Sequence, residues 1–502
     1  MRIILLIFLL LLHSLGVYAQ VTPGENDTVN YKLVGFSVPA DTKADRYLFE
    51  FAKGSFTEER AFAKNIAIKK NSSANKTIQL LPAFGETYTW RVSYFKKGLL
   101  LKHTELYHFR TGYIPFIDTT KCRVSVIKNT MPDKHLLIFY DNTRTLRDMK
   151  GDPVWYIPNI PGITDSSTTV RDLKLTPQGT ITFLTASNGY EINYNGKILW
   201  SCPNDGQVSR DTSEFYHHEF TRLANGHYMI AGNEYVEREI PNLTDTARYK
   251  ISPQITQKDG KYFQRAEFGT LIEYDAAKHA VWSWRSSEHL SENDFSRKNP
   301  ARRTNYSSHM NSFYFDTNRD FIYVSFRNIN SILKISYPQG DVIANYGSSS
   351  AAGEKKQGNG FFYGQHNVTK DSDGNLLLYN NNIAPNMRGY SNSSIELLKE
   401  PADLDNADTL KKIWEFSCQI DTLALPYSTS GGSVNELADG HFLTSMGSVN
   451  RVFIVNKRKE IIWDALCQFR DLTTEKREWN PQPGYRVSAI DSDEKLTNLI
   501  FK

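Results

Sequence analysis

Only four cysteines occur in 502 residues, Cys122, Cys202, Cys418 and Cys467, with no CxxC and no close pair. Such spacing supplies neither a redox motif nor a zinc ribbon, and it permits a disulfide without requiring one. Three of them follow a repeated tryptophan by two to four residues, as small buried hydrophobes do. P-loop GxxxxGK, GxSxG, HExxH and complete GxGxxG motifs are also missing. Nucleotide cradles, nucleophile elbows and zincin helices are therefore not expected. Charge of one sign is scarce too. Lys and Arg number 59 against 55 Asp and Glu, a net of +4, and no basic block stands out, so nucleic acid is not an expected partner.

Long apolar runs are absent except at the start, where Met1-Arg2 precedes IILLIFLLLL and a Val-x-Ala pattern ends at Ala19. That run is too short for a membrane span and reads as a signal peptide, residues 1–19. The expectation is an exported protein, periplasmic or secreted, with no membrane span. What remains is rich in aromatics (13%), glycine, Thr, Val, Ile and Tyr and poor in long helical periodicity. The chain is expected to be all-β.

Residues 20–116 carry short alternating runs, among them RYLFEFAK, TYTWRVSYF and ELYHFRTG, at the interval of a small β-sandwich. The piece LLPAFGETYTWRVSYFKKG followed by YHFRTG resembles a fibronectin type III module, with Tyr88 and Trp90 as core anchors. Presentation, packing or a homodimer contact suits such a module better than chemistry.

Residues 117–502 repeat. A small turn, a β-branched pair and a tryptophan recur at Trp155, Trp200, Trp282, Trp414 and Trp463, and GDVIANYG gives a sixth copy with Asn345 in the Trp place. Six copies predict a six-bladed β-propeller. Packing alone accounts for the tryptophans. It does not account for the starts of the inner strands. His218 stands eight residues before Gly226 and His366 eight before Gly374. His309 joins them if its turn, Asp316 to Asp320, is one residue longer, and Arg171 and Gly432 take the matching places in neighbouring repeats. Histidines in phase around an axis converge on one point, which points to a site. Arg327, closing the strand after His309, adds a fixed cation. Three imidazoles could ligate a metal. Alternation, however, turns Glu219 away from His218, and Arg327 would set a positive charge beside the ion, so neither metal nor cofactor is expected. Aromatic residues near the mouth, Phe361, Phe362, Tyr363 and Tyr427, offer stacking surfaces or core. The tail 484–502 either closes the last blade or brings Tyr485 near the pocket.

The ordered set of HHEF with LANGHYMI, SHMNS with IYVSFRNINSILKI, and GQHNV with DGNLLLYNN resembles the bacterial arylsulfate sulfotransferase family. The resemblance covers nearly the whole chain after residue 19, and the eighteen-residue step from His309 to Arg327 is its most specific part. It implies an exported six-bladed propeller behind a β-sandwich. The implied reaction moves a sulfuryl group from a phenolic sulfate ester to a phenolic acceptor through a sulfohistidine, without a nucleotide sulfate donor. It implies His366 as the nucleophile, with His218, His309 and Arg327 holding sulfonyl oxygens or handling the proton, and Asn311 positioning them. His217 is the alternative to His218. Two departures stand out: the short-spaced cysteine pair is missing, and Glu219 replaces the usual Asp after the paired histidines. Two other readings stay open, a hydrolase or lyase acting on anionic esters or sugars, and a non-catalytic ligand-binding propeller.

Overall fold

The computed structural model describes residues 21–132, 134–239, 255–290, 307–347, 361–383, 391–402, 410–470 and 478–502. The signal-peptide stretch, 1–19, lies outside them, as do residues 242–254 and 291–305. The chain divides into two compact units, Met1–Tyr113 and Ile114–Lys502.

In the first unit a six-stranded sheet faces a two-stranded one, Leu33–Ser37 with Lys76–Leu80. Alternate apolar residues meet between them. The Phe36 ring lies 4.5 Å from Phe51 and 4.9 Å from Trp90, all three at most 1% exposed. Tyr88 is buried on the same strand as Trp90, and its hydroxyl donates to the Ala83 carbonyl at 3.1 Å. This is the corner bond by which sandwiches of this type pin a strand entry.

The second unit is the six-bladed β-propeller. Its six antiparallel sheets have as innermost strands Val487–Ile490, Arg171–Leu175, Phe215–Arg222, Met310–Asp316, His366–Lys370 and Ser433–Glu436, blades one to six in turn. Each inner strand touches the next, and the sixth touches the first, so the ring is closed. Closure is made by the tail. Val487–Ile490 pairs with Leu137–Tyr140, so residues 484–502 complete the first blade rather than the last, and a helix, Asp493–Phe501, follows.

Two repeated devices join the blades. On the outer strands, indole N–H groups donate to a backbone carbonyl of the following blade: Trp155 to Tyr194 at 2.7 Å, Trp282 to Pro338 at 2.8 Å, Trp414 to Lys457 at 2.9 Å and Trp463 to Met149 at 3.0 Å. On the inner strands, short polar side chains accept a backbone N–H from the next blade: Asp172 from Phe220, Ser312 from Val368, Asn367 from Val434 and Ser433 from Val487, at 2.7 to 3.1 Å. Each bond satisfies a group the ladder leaves over. In blade four the place of the tryptophan belongs to Ala344 and not to Asn345. Ala344 stands opposite Lys334 as Trp414 stands opposite Leu397, and it follows the turn glycine Gly340 by four residues, as Trp155 follows Gly151 and Trp200 follows Gly196. All four cysteines are buried free thiols. Phe362 is fully buried in the core between blades four and five, so it offers no stacking face.

Candidate active site at the propeller axis

Every inner strand from blade two to blade six has a residue in the left-handed region in its first half or just before it: Asp172 (φ 53°), His218 (63°), His309 (51°), Asn367 (51°) and Gly432 (108°). In blades two to five this residue sits at or beside a break in strand register. A bulge re-aims the side chain at the cost of backbone strain, about 1–2 kcal/mol for a non-glycine residue. At Gly432 a side chain is excluded outright, because a Cβ would fall 2.2 Å from the Tyr379 ring. The three histidines are therefore not one repeat position. His218 and His309 are the left-handed residues of their blades, whereas in blade five that residue is Asn367 and His366 precedes it. Blade three holds one residue more in its bulge, between the pairs Tyr216↔Gly232 and Phe220↔Ile230, than blade five does between His366↔Tyr379 and Thr369↔Leu377, which is why counting back from the turn glycine put His218 and His366 in phase.

The side chains nevertheless converge. The rings of His218 and His309 lie 5.0 Å apart, and Tyr485 packs 5.7 Å from His218 and 6.5 Å from His366. His217 joins the group through an Nδ1 to Nδ1 contact of 2.6 Å with His218, one nitrogen donating and the other accepting. His218 is the member of the pair that meets His309. Arg327 is the cross-strand neighbour of His309, its N–H donating to the His309 carbonyl at 2.9 Å. The eighteen-residue step is thus one hairpin folded back on itself. The Arg327 guanidinium is steered by the Thr429 carbonyl at 2.8 Å and by Asn328 at 3.1 Å.

Beneath the imidazoles the strand bearing His366 is anchored on both sides. Asn311 donates to the Gln365 carbonyl at 2.7 Å, and the Gln365 amide bonds Ser325, Phe326 and Ser331. Asn311 is fully buried and holds the nucleophile candidate's backbone. Arg171 and Arg486 lie 5.1 and 5.3 Å from the centre of the Tyr485 ring. Tyr427 stands beside Ser428, whose carbonyl holds Asn381 at 3.0 Å.

Two residues that sequence reasoning missed complete the centre. Asn381 puts its Oδ1 2.5 Å from His366 Nδ1. A polar residue at the far end of the hairpin partner, in LLLYNNN, was the signal available for it, since His366 pairs with Tyr379 across that hairpin. Arg486 is 5% exposed and bonds Asp172 at 2.9 Å, Glu219, and the Asn311 carbonyl at 2.8 Å. Glu219 places its carboxylate on Lys174 and Arg486. Burial pushes the Asp172 carboxyl up, but the nearby Lys174 and Arg486 charges bring it below its ordinary range.

The electrostatics set protonation. Burial first, then the charge of Arg327 and of His309, holds His366 well below the ordinary imidazole range. His218 is held down in the same way by burial and by the surrounding His217, His309 and His366. His366 and His218 are therefore neutral at neutral pH. Burial raises the Tyr485 phenol to about 12, so it keeps its proton, and its hydroxyl oxygen has no hydrogen-bond partner among the described residues. A cavity of about 430 Å³ opens beside the cluster, with His217, His218, His309, Asn204, Asn233 and Glu267 in its wall. His366, 1% exposed, is not part of that wall. Among the described residues no group of three or more His, Cys, Asp or Glu is arranged to hold a metal ion, and no helix is long and apolar enough to cross a membrane.

Fold and centre together define a six-bladed propeller with neutral imidazoles gathered beside fixed guanidinium groups at its axis. The sequence model of the arylsulfotransferase (ASST) family matches residues 117–482. The chain belongs to that family and is an arylsulfate sulfotransferase enzyme. No curated protein matches it at a significant level. Similar solved structures include a protein of unknown function from Bacteroides caccae, 10% identical over 72% of this chain and 99% of that one with a TM-score of 0.39. A virginiamycin B lyase from Staphylococcus aureus, solved with quinupristin, is 12% identical over 68% of this chain and 87% of that one with a TM-score of 0.31.

Proposed function

We propose that the enzyme moves a sulfuryl group from a phenolic sulfate ester to a phenolic acceptor through a sulfohistidine at His366, with no nucleotide sulfate donor. The observation that carries this reading is the convergence of His218, His309 and His366 around Tyr485, with Arg327 the backbone partner of His309; burial and the Arg327 charge hold the His366 imidazole neutral. A neutral imidazole is a competent nucleophile, and one displacement becomes two with the phenolate leaving first. Sulfuryl transfer, by analogy with phosphoryl transfer, has a loose transition state with charge on the peripheral and departing oxygens. The Arg327 fork suits those oxygens, and such a contact is worth roughly 2 to 4 kcal/mol of barrier. The ester's own negative charge, brought among the imidazoles, offsets the repulsion that keeps them neutral. His218 or His309 then carries the proton that the leaving phenolate takes, and recovers it from the acceptor phenol. Tyr485, as a protonated phenol, and Arg171 are assigned to substrate binding, with His217 and Tyr427 at the cavity and its approach. Since His366 is sealed, substrate must displace side chains to reach it. We also propose export to the periplasm or the exterior, on the strength of residues 1–19.

The test uses the chain from residue 20 with p-nitrophenyl sulfate, with and without phenol, in chelator. Phenol-dependent release of p-nitrophenol is expected. Release to water alone, or release that needs an added divalent ion, overturns the proposal. The same assay across pH reads the imidazole. Because the pKa of His366 is lowered, the reactive form persists into acid, so kcat/KM for the donor should stay level down through pH ~6.5 and fall only below it. Half-loss at or above that pH contradicts the assignment.

A further inference from the structure

We propose that Asn381 is a positioning residue that fixes the proton of His366 on Nδ1 and so makes Nε2 the nitrogen that attacks sulfur. The inference rests on the reading of His366 as the nucleophile and deepens it. His366 Nδ1 faces two oxygens, Asn381 Oδ1 at 2.5 Å and the Gly364 carbonyl at 3.2 Å. The amide cannot be turned over. Its Nδ2 donates to the carbonyls of Ser428 at 3.0 Å and Gly431 at 3.1 Å, and both can only accept. Reversal would set the amide oxygen against two carbonyls in a place that is 1% exposed, leaving buried groups unsatisfied. With two acceptors against it, Nδ1 must carry the hydrogen, and the lone pair sits on Nε2.

An amide has a second consequence that a carboxylate in its place would not have. When the Nε2 lone pair forms the N–S bond, the S–O bond to the aryl group breaks and its electron pair leaves on the aryl oxygen. The ring then bears a positive charge balanced by the sulfonate, with the hydrogen still on Nδ1. Asn381 accepts that hydrogen in a bond but has no basicity with which to remove it. Transfer to the acceptor phenol therefore expels neutral imidazole, a good leaving group. A basic partner able to take the Nδ1 proton would leave a sulfoimidazole whose leaving group is imidazolate, which departs poorly.

Two measurements on the chain from residue 20 test this. The first is nitrogen NMR of protein labelled in its histidines, with His366 assigned by its absence in His366→Ala. A protonated Nδ1 and a bare Nε2 are expected at neutral pH, and a proton on Nε2 overturns the inference. The second is Asn381→Leu, for which kcat/KM with p-nitrophenyl sulfate should fall about 10- to 100-fold, with both tautomers of His366 visible. Unchanged kcat/KM and an unchanged pH profile overturn it. Should Asn381→Leu fail to fold, the wild-type tautomer decides alone. Failure of the underlying reading looks different: His366→Ala would turn over at the wild-type rate whatever tautomer the ring holds.

Discussion

His366→Ala should lower phenol-dependent transfer from p-nitrophenyl sulfate by about 10⁴- to 10⁶-fold, the range seen when a covalent nucleophile is removed and its partners are left in place. The loss should fall on kcat for both half-reactions, because no other imidazole stands where His366 does. His218 and His309 enter from the bulges of blades three and four and meet each other at 5.0 Å, while His366 alone is tied to Asn381 and Gly364. Steady-state kinetics checks this, with thermal unfolding alongside to exclude collapse of the centre. A variant within tenfold of wild type would remove His366 from the chemistry.

Arg486→Met carries the largest expected effect on stability, a loss of about 3–5 kcal/mol. The guanidinium is all but sealed and is shared between Asp172 and Glu219, with its other arm on the Asn311 carbonyl. Removing it leaves two buried carboxylates with Lys174 as their remaining cation. The residue also immediately precedes the strand Val487–Ile490 that closes the ring, and its own N–H is held by Asp141 at 2.9 Å. Unfolding should therefore begin at blade one, visible as hydrogen exchange in Leu137–Tyr140 together with a lower urea midpoint. A midpoint unchanged within about 0.5 kcal/mol would show that the charge network contributes little to closure.

The sequence announces what local rules write into it. Tryptophans at one strand position, turn glycines and alternating runs predicted the sandwich and six blades, because each repeat obeys the same packing need. His309 and Arg327 were legible for a related reason: one hairpin brings an eighteen-residue step back to a single backbone pair. Bulges were not legible. They add a residue without changing composition, so His218 and His366 were placed at one repeat position that they do not share; Ala344, by contrast, was legible from its four-residue distance to Gly340. Asn381 meets His366 within one hairpin, 15 residues on, but what orients its amide, like what Arg486 binds, lies far along the chain. Asn381 reaches Ser428 and Gly431, 47 and 50 residues on, and Arg486 reaches Asp172, 314 residues back. No window of sequence contains both ends of those bonds. Burial was hidden as well, since nothing in FFYGQHN says that Phe362 is core while His366 lies sealed at the axis.

The central claim is tested most directly by mass spectrometry of the enzyme mixed with p-nitrophenyl sulfate in the absence of acceptor and digested at once under mildly basic conditions. The account predicts one added SO₃ on the peptide containing His366, carried on Nε2 and discharged when phenol is supplied. Turnover with no covalent sulfate on the protein, or sulfate on any other residue that phenol discharges at the turnover rate, would contradict it.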